Sequence, residues 1–450
     1  MYSELLRLAA DSAKRYLQEL PLRKVACSPA AVKQLNDQLD RSLPQNPMDP
    51  REVIKLLDEV VAPATMANAG GRFFGFVVGG ALPTALAADW LTSTWDQNTC
   101  LTALSPAGAC LERITSRWLI DLLGLPVECH TSFVTGTAMA NVTGLIAARS
   151  AVLKKAGWDV DAHGLFGAPP VNVVVSDEAH GTLYRALSIL GLGKARVFKV
   201  PCDNQGRMRA DALPPLTEPS IVCTQAGNVN TGAFDPAEEI CTAAHRSGAW
   251  VHVDGAFGLW AAAAPEHAHL TRGFEKADSW ATDGHKWLNI PYDCGFCFIR
   301  DATHLRRALS VKAAYLVHDE SGDPWDFTPE SSRRARVFPV WAALLSLGRS
   351  GVADLIERTC SYATLLAEGL RDAGYEILNE VVINQVLVSF GNTEKTQRII
   401  QAVQEEGTCW CGGTTWQGKA AMRISVSSWA TTRDDIARSL EAILNIAKKG

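Results

Sequence analysis

No apolar run in the 450-residue sequence approaches the roughly 20 residues a membrane-crossing helix needs, so no transmembrane helix is expected. Excess basic charge is missing too. The formal net charge is −5, and no positive field asks for nucleic acid or an acidic membrane surface. Internal repeats and low-complexity linkers are absent, which sets aside solenoids and disordered tethers. The first stretch, MYSELLRLAADSAKRYLQEL, is amphipathic and mixed in charge, without the apolar centre of a signal peptide. The expected location is therefore the cytoplasm, where the 12 cysteines are expected to be reduced, small and mostly buried. Cys294 and Cys297 have redox-motif spacing, but CGFCFIRD reads as a strand, whereas a redox CxxC opens a helix. No further Cys or His stands at ligand spacing, so no metal site is expected.

What is present is the composition of a globular enzyme: 47% hydrophobic and 20% charged residues. The length exceeds what one core usually supports, and more than one domain is expected. Residues 1–65 read as a helical segment broken near CSPAA and SLPQNPMDP. Residues 66–345 alternate helical patterns with short apolar runs: VNVVVSDEAH (171–180), ARVFKVP (195–201), SIVCTQAG (220–227), AWVHVDGAFG (249–258) and CGFCFIRD (294–301). Continuous runs of this kind suit a mainly parallel sheet covered on both faces. Residues 346–450 alternate helix and strand and read as an appended α+β domain.

In an open α/β sheet ligands bind beyond the carboxyl ends of the strands. Asp177 and His180 follow the first run, Asn228 the third, Asp254 ends the fourth, and Lys286 follows a further short one. Each alone is ordinary, since Asp and His at strand ends often cap the next helix. Together they are chemically complementary. DGHKWLN (283–289) sets a lysine between a histidine and a tryptophan, and an amine in a partly apolar pocket becomes nucleophilic near neutral pH. A carboxylate can keep a pyridine nitrogen protonated, and an imidazole can lie on the ring. Pyridoxal phosphate requires such a lysine and such an acid. VTGTAMANVTGLIAAR (134–149) sets small residues at a helix start, where free N–H groups favour a phosphate. A dinucleotide reading is weaker, because no G-x-G-x-x-G stands between a strand and a helix; GLGKAR (191–196) is the wrong string.

With DGHKWLNIPYDCG, HVDGAF and SDEAHGTLYRAL in this order, the chain resembles the group II pyridoxal-phosphate decarboxylases, the family of aromatic amino acid, glutamate and diaminobutyrate decarboxylases. The similarity runs from RFFGFVVGGALP (72–83) to AMRISVSS (421–428). It implies a fold-type-I transferase-like α/β architecture: an N-terminal helical segment that interlocks a homodimer, a large cofactor domain and a small C-terminal domain. It further implies that Lys286 carries the cofactor as a Schiff base, that Asp254 pairs with the pyridinium nitrogen, and that His180 stacks on the ring. Ala256 leaves room beneath the ring. Thr137 and Ala138 hold the phosphate, with His285 beside it. Tyr315, in a segment whose Gly, Pro and charges mark a mobile loop, protonates the substrate carbon. Arg423 stands near the mouth of the site.

The chain also departs from the family pattern. Asn228 stands where the family often has Thr-Thr, and Asp283 where several members carry Asn near the phosphate. FVVGGALP is glycine-rich where aromatic decarboxylases carry bulky rings. Phe76, Trp95 and Trp410 are available to line an apolar pocket, and no cation besides Arg423 offers itself to a distal carboxylate. The expected reaction is decarboxylation of an L-amino acid, aromatic or otherwise apolar, to an amine and CO2. Three alternatives stay open: another lyase on the same fold (C–C or C–S cleaving, with Cys409 as the candidate sulfur acceptor), a decarboxylation-dependent aldehyde synthase, and a cofactor-binding scaffold without turnover.

Overall fold

The structure, a computed structural model, describes residues 1–311 and 322–449. It forms two compact units. One comprises Met1–Gly80, Leu365–Leu378 and the chain from Leu387 onward; the other comprises Ala81–Thr364 and Asn379–Val386.

The larger unit is built on a seven-stranded sheet. Its strands are β1 (His130–Val134), β2 (Asn172–Ser176), β3 (Phe198–Val200), β4 (Ser220–Gln225), β5 (Trp250–Asp254), β6 (Ser279–Asp283) and β7 (Gly295–Ile299), in the order β1-β7-β6-β5-β4-β2-β3. β6, β5, β4, β2 and β3 run parallel, as the continuous apolar runs imply. β7 is antiparallel to both of its neighbours. Every residue of β4, β5, β6 and β7 is buried, because both faces are covered. The Thr137–Lys155 helix covers one face and buries Ala140, Leu145, Ala147 and Ala148 in a core shared with Val173, Ile221 and Ala281. Buried tryptophans settle their indole N–H groups on backbone or hydroxyl oxygens: Trp260 on Asp283 O, Trp280 on Phe274 O and Trp287 on Thr359 Oγ1.

The smaller unit holds a four-stranded sheet of β8 (Glu376–Ile377), β9 (Gln385–Ser389), β10 (Gly412–Trp416) and β11 (Lys419–Ser425), ordered β10-β11-β9-β8. Gln417 and Gly418 both have positive φ, which suits the two-residue turn of the β10–β11 hairpin. Asn392 caps the Thr393–Glu406 helix and Gly407 ends it in the left-handed region. The N-terminal helices Tyr2–Glu19, Pro29–Leu39 and Pro50–Leu56 belong to this unit as well. Buried Arg72 joins them to the C-terminal stretch, donating to the carbonyls of Pro21, Arg23 and Thr408.

In the larger unit, register decides what meets at the sheet edge. Gly295 lies opposite both Val134 and Asp283, so β1 and β6 end side by side at the start of β7. Asp254 lies opposite Gln225 and Ala281, which brings β4 and β5 to the same edge. The turn leaving β1 comes so close that a Cβ on Gly295 would stand 2.4 Å from Gly136 Cα. Gly295→Ala is expected to destabilise the fold by about 1–3 kcal/mol, the usual overpacking cost. A chemical denaturation midpoint equal to the parent's would show that the turn gives way freely.

Candidate active site

DGHKWLN leaves β6 as a clamped turn. Gly284 N–H and His285 N–H both donate to Cys294 O, Ile290 N–H donates to Gly284 O, and Asn289 N–H returns to Lys286 O. Asn289 occupies the left-handed region at φ 58, which Asn tolerates better than most residues, and its side chain donates to Trp287 O at 2.9 Å. Trp287 is buried beneath, so Lys286 is fixed at its base while its side chain stays 20% exposed. Its Nζ is 2.9 Å from Asp283 Oδ2. The lysine is thus held by an ion pair, where its sequence neighbours had pointed to an apolar pocket.

Asp283 is buried and engaged from several sides. Besides Lys286 it accepts Thr137 N–H at 2.5 Å, and His285 Nε2 lies 3.4 Å from Oδ1. Burial pushes its carboxyl up, but the Lys286 charge and the hydrogen bonds from Lys286 and Thr137 win, holding it below the usual carboxylate value. In His285 it is burial that wins, lowering the imidazole against the pull of Asp283. Its Nδ1 accepts Cys294 N–H at 3.2 Å, which leaves the proton on Nε2, facing Asp283. The ring lies against Tyr292, with centroids 4.4 Å apart.

Thr137 opens the long helix, whose N-terminus has no side-chain cap. Its hydroxyl is buried and, among the described residues, has no hydrogen-bond partner. A Cβ on the preceding Gly136 would stand 2.9 Å from His285 Cε1 and 3.1 Å from Asp283 Oδ1. An orphaned hydroxyl, uncapped helix N–H groups including that of half-buried Ala138, and a glycine that keeps the approach clear make a fitting phosphate cradle. Asp283 takes the Thr137 N–H and is itself paired, so its charge is largely cancelled there.

Asp254 ends β5, buried, with Oδ1 3.3 Å from the Ala256 N–H and Oδ2 3.2 Å from the Asn141 Nδ2 that donates to it. The Ala256 carbonyl accepts Asp283 N–H at 2.9 Å, which ties the Asp254 and Lys286 turns together. A carboxylate for a pyridine nitrogen, an amine and a phosphate cradle therefore share one sheet edge. The chemistry of these residues fits pyridoxal phosphate.

His180 is half-buried at the N-cap of the Gly181–Ile189 helix, where Nδ1 accepts Thr182 N–H at 3.3 Å and lies 2.7 Å from Thr182 Oγ1. Asn228 is buried and employed in its own loop: Oδ1 accepts from Asn230 N and Thr231 N, and Nδ2 donates to Gln225 Oε1. Trp95 ends its helix with half its surface exposed and meets Phe338 edge-on. Phe76 and Arg423 belong to the smaller unit. There Phe76 leans on Trp410 with centroids 5.4 Å apart, and Arg423 sits half-buried on β11 opposite Gly412. Tyr315 lies outside the described residues. Asn141 was missed in the sequence. The available signal was its place one turn after Thr137, on the same helix face.

A model of the pyridoxal-dependent decarboxylase conserved domain matches residues 31–391. An aromatic-L-amino-acid decarboxylase of Bacillus atrophaeus is 26% identical over 442 residues, covering 92% of this chain and 89% of the relative. The acidic amino acid decarboxylase GADL1 of Mus musculus is 27% identical over 379 residues, covering 81% of this chain and 68% of the relative. In fold, the crystal structure of Oryza sativa TDC with PLP and tryptamine superposes with a TM-score of 0.91 at 23% identity, over 100% of this chain and 98% of that one. With the model match spanning most of its length, the chain belongs to the pyridoxal-dependent decarboxylase family, carboxy-lyases that act on amino acids through pyridoxal phosphate.

Proposed function

We propose that the protein removes the α-carboxylate of an L-amino acid with an apolar or aromatic side chain, releasing CO2 and the corresponding amine. The observation that carries the reaction is the meeting of Lys286, Asp283, Thr137 and Asp254 at one sheet edge. Substrate class rests on the sequence, which offers no cation besides Arg423 for a distal carboxylate.

The division of labour follows from the side chains. Lys286 supplies the amine that binds the cofactor. Thr137 Oγ1 and the N–H groups of the first helical turn hold its phosphate, and Asp254 keeps a proton on the ring nitrogen. Ala256 adds no bulk near Asp254, and His180 offers a flat imidazole to the ring. When bound, pyridoxal phosphate supplies the electron sink for the pair left behind as the Cα–carboxylate bond breaks. Tyr315 is assigned the proton delivered to Cα on its sequence motif alone. A sulfur-transferring alternative loses its candidate, because Cys409 is fully buried and a sulfur acceptor must be reached by substrate.

The same reading includes a cytoplasmic homodimer. All 12 cysteines are free thiols, as a reducing compartment requires. Trp90, Leu91 and Trp95 expose large apolar surfaces on one helix, the kind of surface that subunit contact covers.

Three measurements test the proposal. Lys286→Ala should keep its fold, lose the visible absorbance of bound cofactor and lose turnover; a borohydride-reducible cofactor–lysine link in that variant rules Lys286 out. CO2 release across a panel of amino acids should be greatest with aromatic or branched apolar substrates, and release from glutamate or aspartate alone contradicts the substrate class. Tyr315→Phe, assayed under air, should divert product from amine towards aldehyde, ammonia and peroxide. Unchanged amine would move the proton donor elsewhere, and aldehyde from the parent enzyme would replace decarboxylase with aldehyde synthase.

A further inference from the structure

His252, the first residue of HVDGAF, takes no part in the chemistry above, yet its ring lies at the centre of a closed hydrogen-bond chain. Standing two residues before Asp254 on β5, it points to the same face of the sheet. Its Nε2 is 2.9 Å from Asn141 Oδ1, and Asn141 Nδ2 donates to Asp254 Oδ2 at 3.2 Å. On the other side Nδ1 is 2.8 Å from Ser279 Oγ, which accepts the Trp250 indole N–H at 2.9 Å. Asn141, His252 and Ser279 are wholly buried.

Donor and acceptor roles in this chain are determined by its two ends. A carboxylate accepts, so Asn141 must turn its NH2 to Asp254 and its carbonyl to His252, which then carries hydrogen on Nε2. An indole only donates, so Ser279 accepts from Trp250, and to a neutral ring already protonated on Nε2 it gives its own hydrogen at Nδ1. Of the two neutral tautomers only Nε2–H satisfies both neighbours. Burial keeps the ring neutral, lowering the imidazole to about 3. Space is also reserved for the ring: a Cβ on Gly144, three residues after Asn141 on the same helix, would stand 2.7 Å from His252 Cε1.

We infer that His252 is a positioning residue for the cofactor: through Asn141 it holds the Asp254 carboxylate in the orientation that keeps the ring nitrogen protonated. This rests on the reading that Asp254 faces that nitrogen. Without the Nε2 donor, the Asn141 carbonyl is left buried and unsatisfied. Rotation of the amide then brings oxygen towards the carboxylate and displaces it.

The test uses holoenzyme loaded with pyridoxal phosphate labelled with ¹⁵N in the ring, read by nitrogen NMR, together with the cofactor dissociation constant. His252→Phe keeps a ring but no donor. It should move the nitrogen signal towards the unprotonated position and weaken cofactor binding about tenfold, the weight of one hydrogen bond to a charged group. His252→Gln restores an amide donor and should recover most of both. Gly144→Ala removes no relay group and improves helix propensity, but it crowds the ring, and it should shift the signal in the same direction. That variant decides the matter if His252→Phe does not fold. The inference fails if Asp254→Asn shifts the signal while folded His252→Phe, or Gly144→Ala in its place, does not. If Asp254→Asn leaves the signal unmoved, the reading of Asp254 itself fails.

Discussion

The ion pair between Asp283 and Lys286 is the contact on which the site's geometry depends. A carboxylate buried at the end of β6 is costly unless it is paired and hydrogen-bonded. Its partners come from two parts of the chain: Lys286 and His285 from the turn that follows, and the Thr137 N–H from a helix that starts 146 residues earlier. Pairing thus pins the start of the long helix to the turn that carries the lysine, and brings the Thr137 hydroxyl and the Lys286 amine to the same sheet edge. Asp283 occupies one N–H of the first helical turn and leaves the Thr137 hydroxyl and the following amides to a ligand. The Asp283 carboxylate is tolerated at this buried edge because its charge is already cancelled by its neighbours.

Much of this was legible in the sequence. Five strands could be placed because each is a compact apolar run, and Lys286 and Asp254 stand where such runs end. β10 was not legible: GGTTW is glycine-rich and alternates buried with exposed positions, so it carries no apolar run to recognise. β1, HTSFV, is short and half polar, so it carries no apolar run either. The direction of β7 could have been inferred only from its connection. The 11 residues between Asp283 and Gly295 hold no crossover helix, and a parallel return needs about a dozen or more, usually including one.

The site's contact residues were legible where a motif is local and hidden where it is not. The Lys286 turn binds mostly within itself and with the start of β7, so thirteen consecutive residues describe it. Asn141 and Asp254 are 113 residues apart in the chain, and nothing in the intervening sequence announces their contact. Asn228 shows the converse. Its position after a strand was plain, but both ends of its amide are employed in its own turn, a local use that position alone does not reveal.

Two buried carboxylates at one sheet edge are thereby given different work. Asp283 is surrounded by a lysine, an imidazole N–H and a helix N-terminus, and spends its charge joining parts of the protein. Asp254 receives only neutral donors, the Asn141 amide and the Ala256 N–H, and among the described residues no lysine, arginine or histidine forms an ion pair with it. Neutral donors orient a carboxylate without cancelling it, so its negative charge remains for a cation brought by a ligand. That is what a pyridinium requires. Substitution of either acid by its amide therefore has separate physical consequences: at position 283 the protein loses a joint between helix and turn, whereas at position 254, under the proposed function, the cofactor loses its counter-charge.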